Sequence, residues 1–386
     1  MACLAELAEI VRDVSALHIN FMHGENSEMM DLALRVCRGY LNGPWKKITA
    51  NDISVKRISG GLSNWLYQVS FTKPLVKPAE PSQVLLRLYG QTHGERALES
   101  LITDSVIFTL LSERNLGPKL HGIFPGGRIE EYIPARPLRT LELADDKLSR
   151  QIATKMAAVH AMNVPINKEP RWLWDTTNRW LQNIDEGQMK ENQVDESPIA
   201  EVLYKLDLKR EVSWLKEHLI KLKSPVVFCH NDMQEGNILL REDLEDPTIV
   251  LIDFEYCSYN YRGFDIANHF IEWIYDYTEA EHPNFRVVKE NYPSRDQMLV
   301  FLEQYAHSVP GQHAPVCLDT LIREVRNFTL ASHLFWGLWG MVNAKRSQIP
   351  FGYWEYAKER IDSYFQLKAE LVGCDSGIKR KAVDLE

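Results

Sequence analysis

Two short polar segments, each at the end of an apolar run, constrain this chain more than any other feature. The first, residues 230–237, reads His230-Asn231-Asp232-Met233-Gln234-Glu235-Gly236-Asn237 and follows the apolar run 226–229. The second, Asp253-Phe254-Glu255-Tyr256, follows the run 249–252. Short runs of this kind bounded by polar residues are predicted strands, so each segment should begin where a strand ends. An Asp with an Asn five positions later on one loop, plus an Asp from a second strand end, are parts that phosphoryl transfer needs. They orient an attacking hydroxyl and offer hard oxygens to Mg²⁺. Asp232 is then the group that receives or orients the hydroxyl, and Asn237 and Asp253 are the metal ligands. Glu255 adds a further carboxylate on the metal side. A single Asp is equally at home as a cap or turn residue; the joint occurrence carries the reading.

Composition narrows the class without naming it. At 386 residues, with 45% hydrophobic and 25% charged side chains, the chain is long enough for more than one packed unit. The formal net charge of −9 argues against a broad nucleic-acid surface, which needs clustered Lys and Arg. It leaves room for a local cationic site for ATP. The six cysteines are scattered with no C-x-x-C pair, so neither a zinc site nor a redox motif is expected. Glu6, Glu9, Arg12 and Asp13 interrupt the first apolar stretch, unlike a signal peptide. The apolar window 331–344 is too short to span a bilayer and contains His333. The expectation is a cytoplasmic protein with no membrane contact.

Along the chain, residues 1–28 are a lead-in and 29–41 carry helical spacing. The period then changes to two, with strands expected at 53–58, 67–71 and 84–89. Ser59, Gly60, Gly61, Leu62, Ser63 and Asn64 form a turn between the first two, where backbone N–H groups could lie over phosphates; an ordinary Gly-Gly hairpin turn reads the same way. A helix at 95–114 and a hairpin at 119–133 complete a predicted small domain, residues 29–133. Residues 134–372 form a mainly helical second domain, with 186–196 a surface loop and 373–386 a flexible tail.

The two motifs together resemble the choline/ethanolamine kinase family, and the similarity runs from about residue 29 to 371. The resemblance implies an α+β, two-lobed protein-kinase-like fold with a small antiparallel-sheet N-lobe and a mainly helical C-lobe. It implies phosphorylation of choline by ATP with Mg²⁺, the first step of phosphatidylcholine synthesis by the choline branch, with weaker activity on ethanolamine. It also implies a homodimer. Arg87, embedded in the third strand, matches the family's phosphate-binding arginine, and Asp104 on the following helix is its expected partner. Glu130, Tyr132, Ile133 and Arg136 match the connector on the adenine side, and Gln234 a nucleotide position. A cation pocket carries over to Tyr256, Tyr277, Trp336, Trp339 and Tyr356, with Glu272 as counter-charge. From the spacing alone, Asp265, His269, Glu272 and Asp276 should share one helical stripe.

Three other readings compete. Relatives that prefer ethanolamine differ within residues 234–236 and at Phe254, so choline is expected. An aminoglycoside or protein kinase is disfavoured by the aromatic set and by the lack of a G-x-G-x-x-G loop. An inactive choline-binding scaffold is disfavoured because Arg87, Asp232, Asn237 and Asp253 are all present.

Overall fold

The computed structural model describes residues 26–58, 64–74, 81–89, 95–190, 197–243, 245–310, 317–347 and 349–383. Residues 1–25 of the lead-in and the turn residues Ser59, Gly60, Gly61, Leu62 and Ser63 lie outside them; residues 26–28 of the lead-in belong to the first helix. The chain forms two compact units: residues 1–136 with 241–254, and residues 137–240 with 255–386.

The first unit begins with helix α1 (Asn26–Tyr40). Strands β1 (Ile53–Ile58), β2 (Asn64–Phe71) and β3 (Gln83–Tyr89) follow, then α2 (Glu95–Glu113) and the hairpin β4 (Leu120–Phe124) and β5 (Gly127–Glu131). Sheet order is β1-β2-β3-β5-β4, antiparallel throughout. Helix α1 buries Met29, Leu32, Ala33, Val36 and Cys37, the spacing of one helical face. That face shares one core with Val84, Leu86 and Leu88, alternate residues of β3, and with Tyr67, Val69 and Ile129. Arg87 belongs to the opposite face of β3 by the period of two, in register with Arg128 of β5. The hairpin turn requires glycine twice. Gly126 has φ 89°, and a Cβ on Gly127 would stand 2.3 Å from the Arg87 carbonyl oxygen.

The short strand β6 (Arg136–Pro137) carries the chain into the second unit. There follow α3 (Asp146–His160), α4 (Arg171–Lys190), α5 (Pro198–Tyr204), α6 (Leu208–Ile220), β7 (Val226–Cys229) and β8 (Ile238–Arg241). Strand β9 (Thr248–Leu251) belongs to the first unit. The chain then re-enters the second unit with β10 (Ser258–Tyr261), α7 (Arg262–Glu272), β11 (Tyr275–Asp276), β12 (Arg286–Val287), α8 (Arg295–Ser308), α9 (Leu318–Arg346) and α10 (Tyr353–Val383). Strands β7 and β10 pair antiparallel, setting Cys229 opposite Ser258. Helix α7 is buried along its whole length. Most of α9 from Leu321 to Val342 is buried too, as expected of a central helix.

These observations bear out the antiparallel-sheet and helical halves and adjust their boundaries. The division falls at 136/137, and residues 241–254 return to the first unit, where Phe254 packs edge-on against Phe108 of α2 at 5.9 Å. Helix α4 continues to Lys190 into the expected loop. The expected flexible tail is instead helical to Val383; no proline interrupts that stretch. Among the described residues no helix is long and apolar enough to cross a membrane, and Cys37, Cys229, Cys257 and Cys317 form no disulfide.

Candidate active site

In the first unit, Arg87 points Nε at Glu130 Oε1 (2.7 Å), and Arg128 Nε meets the same oxygen at 2.7 Å. All three side chains are buried. Burial alone would push the Glu130 carboxyl upward, but the two guanidiniums hold it below the usual range. The carboxylate that meets Arg87 is therefore Glu130, not Asp104 as expected. Glu130 reaches it because β5 pairs directly with β3. Asp104 has no ion pair among the described residues; burial pushes its carboxyl up to about 6, against the nearby Arg128. Arg128 also stacks over the Phe108 ring at 4.1 Å. Two buried guanidiniums thus meet at one oxygen of Glu130. Asn64 opens β2. Tyr132 and Ile133 are half-buried between β5 and β6, and Arg136 is paired to Glu242 at 3.0 Å. Asp253 lies just past β9 with φ 61°, a conformation rare for a non-glycine residue and concentrated at functional sites.

In the second unit the loop 230–237 is held in place by buried Asp265 at the start of α7. Its Oδ2 accepts the His230 N–H (2.9 Å) and bonds His160 Nε2 (2.9 Å), while its Oδ1 accepts the Asn231 N–H at 2.8 Å. Burial would raise the Asp265 carboxyl, yet the bond and charge of His160, with those of His230, bring it below the usual value. Asn231 adopts φ 68°, tolerable for Asn. Its side chain donates to the Tyr256 carbonyl (2.8 Å) and Ser258 Oγ (3.0 Å) and accepts from Asn260 Nδ2 (2.8 Å). His269 bonds the Met233 carbonyl through Nδ1 at 2.9 Å; burial lowers its pKa to about 4, so it is neutral. The result is a rigid presentation of Asp232. Asn237 Nδ2 donates to Asp232 Oδ2 at 2.8 Å and to the Asp232 carbonyl at 2.9 Å. That leaves Asn237 Oδ1 without a donor among the described residues, a hard oxygen of the kind Mg²⁺ takes. Gln234 turns its side chain back onto the Gly236 N–H (3.3 Å). Glu255 is exposed in the turn before Tyr256.

The predicted cation-pocket residues are brought together as a chain of ring contacts. Tyr256 meets Trp336 at 5.6 Å, Trp336 meets Trp339 at 5.7 Å, Trp339 meets Tyr356 at 5.9 Å, and Tyr356 meets Tyr277 at 6.4 Å. Edge-to-face geometry dominates, as aromatic quadrupoles prefer. Asn268 fixes the first of these tryptophans, its Oδ1 accepting Trp336 Nε1 and Ser332 Oγ, both at 2.7 Å.

Two expectations need correction. Helix α7 ends at Glu272, so the acidic stripe stops there; Asp276 sits in β11, bonded to Thr278 and Arg286. Glu272 is not an open counter-charge. Arg360 Nη2 binds its Oε1 and the Tyr277 hydroxyl donates to its Oε2 at 2.9 Å. Arg360, absent from the sequence reading, is fully buried and stacked 3.8 Å over Tyr275 and 4.9 Å over Tyr356. Trp172, whose ring is edge-on to Tyr256 at 6.1 Å, was missed as well. Neither lies in a recognisable motif.

Comparison with known proteins gives a consistent picture. The family model for choline/ethanolamine kinase matches residues 55–365. A choline/ethanolamine kinase of Rattus norvegicus is 45% identical over 347 residues, covering 88% of this chain and 86% of the relative. Choline kinase alpha of Mus musculus is 42% identical over 366 residues, covering 87% and 80%. The crystal structure of choline kinase from Cryptosporidium parvum matches with a TM-score of 0.73 at 30% identity, covering 90% of this chain and 97% of that one.

Proposed function

The chain belongs to the choline/ethanolamine kinase family, and from that premise we propose that it transfers the γ-phosphoryl group of ATP to the hydroxyl of choline, with ethanolamine a weaker substrate. The observation that carries the choice of substrate is the chain of rings from Tyr256 to Tyr277 in the same unit as Asp232. A quaternary ammonium offers no strong hydrogen-bond donor, so aromatic faces are its natural partners, each worth about 0.5–2 kcal/mol. Asp232, held by Asn237 and by the Asp265-anchored loop, accepts the proton of the attacking hydroxyl. Mg²⁺, when bound, supplies charge neutralisation on the phosphates; Asn237, Asp253 and Glu255 are the residues assigned to it. Arg87 is assigned to phosphate, while Asn64, Tyr132, Ile133, Arg136 and Gln234 are assigned to the nucleotide. Asp104 and Glu130 we now place behind the arginines rather than on ATP itself.

The corresponding biological setting is the choline branch of phospholipid synthesis, in the cytoplasm, by a homodimer. The test is Mg²⁺-dependent release of ADP with a panel of amino alcohols. Choline should give the highest kcat/KM, and Asp232→Ala should lower kcat by about 10²–10⁴-fold. A higher kcat/KM for ethanolamine would overturn the substrate choice. Turnover unaffected by Asp232→Ala would overturn the mechanism.

A further inference from the structure

Helices α9 and α10, with the 3₁₀ turn Lys289–Asn291 and Ile274, line a pocket within the second unit that the proposed reaction does not use. Its volume of about 260 Å³ is far beyond the roughly 10–15 Å³ that holds one water. Pockets of roughly 300–1,000 Å³ take drug-sized ligands, so this one suits a smaller molecule. Ile274, Leu367 and Leu371 give it apolar wall, and Thr329, His333 and Ser363 add polar wall. The charged side chains in the lining are Lys289, Arg326 and Glu370.

The wall is short of hydrogen-bond partners. His333 is 3% exposed, and its Nδ1 has none among the described residues. Buried polar atoms almost always have one, so the partner is expected from whatever occupies the pocket. The charges that act on this ring are those of Arg360 and Lys289, both positive, and with burial they keep the imidazole neutral. Arg360, one turn before Ser363 on α10, has Nε and Nη1 likewise unpartnered among the described residues, and a guanidinium can only donate. Lys289 and the Ser363 hydroxyl share one oxygen of Glu359, at 3.0 and 3.2 Å. Arg326 is exposed and enters no ion pair among the described residues. Against these cations the lining sets one carboxylate, Glu370, which accepts from Gln366 at 3.3 Å.

We propose that this pocket binds a small monocarboxylate with a short apolar chain. Lys289 and Arg326 recognise the carboxylate, and Ile274, Leu367 and Leu371 cover the chain. A singly charged head fits better than a dianion, because Glu370 in the same lining repels further negative charge. The occupant lies against the two helices that also carry Trp336, Trp339 and Tyr356, yet its binding does not depend on the amino-alcohol reading.

The test titrates octanoate, and octan-1-ol as its uncharged counterpart, into the full chain by calorimetry. Octanoate should bind saturably at one site per chain, and octan-1-ol about tenfold or more weakly. Arg326→Ala and Lys289→Ala, both at exposed positions, should each weaken octanoate roughly two- to fivefold. The double variant should lose about tenfold for octanoate and stay within about twofold for octan-1-ol. Leu367→Trp, which fills the pocket, should abolish binding of both. Equal affinity for acid and alcohol, or an unchanged octanoate Kd in the double variant, would overturn the proposal. No saturable octanoate binding would do the same and leave the pocket to water. Displacement of octanoate by choline or by ATP with Mg²⁺ would place it in the proposed active site and also overturn it. Binding is read without turnover, so a chain that fails to phosphorylate choline leaves this result standing.

Discussion

Replacing Asp265 by Asn tests whether the loop bearing Asp232 is held from below. Asp265 accepts the N–H groups of His230 and Asn231, at 2.9 and 2.8 Å, and bonds His160 at 2.9 Å. An amide offers one oxygen where the carboxylate offers two. One backbone N–H would then face an NH₂ group and remain buried without an acceptor, at about 1–3 kcal/mol. Losing the charge-assisted character of the remaining bonds costs about 1.5–3 kcal/mol more. A loss of roughly 3–5 kcal/mol is expected, close to that for breaking a buried ion pair. Urea unfolding followed by tryptophan fluorescence should show a lower midpoint, and kcat should fall by about 10²-fold if Asp232 is displaced by ~1 Å. Because the Asp265 carboxyl is held below its unfolded value, its stabilisation is fully present above that value and is lost as pH falls through the folded one. The gap between wild type and variant should therefore be flat from about pH 5 to 8 and close only below about pH 4. An unchanged midpoint with kcat within twofold of wild type would refute the anchoring argument. So would a gap that closes near neutrality.

Three further outcomes are expected. Glu130→Gln leaves Arg87 and Arg128 buried around a neutral amide and should cost about 3–5 kcal/mol in thermal or urea unfolding, with a raised KM for ATP; an unaltered Tm would refute the shared-carboxylate reading. Arg360→Met strands the Glu272 charge and should destabilise by a similar roughly 3–5 kcal/mol. Adding Glu272→Gln should then restore part of that loss, whereas strictly additive effects would show the pair is not coupled. Trp336→Phe removes the indole bond to Asn268 (2.7 Å) and part of an aromatic face. It should raise KM for choline about 5–10-fold with kcat little changed; an unchanged KM would remove Trp336 from the pocket.

The sequence by itself determined the parts whose signal is local. Helix α1 follows from the spacing of Met30, Leu32, Leu34, Val36 and Cys37, and the strands follow from their alternation, since each periodicity reports which face is buried. The two segments proposed to be catalytic were legible because phosphoryl transfer needs particular side chains a few positions apart, on loops that strands end in. What only the tertiary structure decided is pairing among distant residues. Arg87 could have reached Asp104 on the next helix; strand register gave it Glu130 and made that carboxylate serve Arg128 as well. Glu272 read as an open counter-charge until Arg360, 88 positions away, closed it. Periodicity fixes which side of an element is buried, but it does not say which charge from another element will be buried against it. In a poorly screened interior that choice sets which groups are free to act.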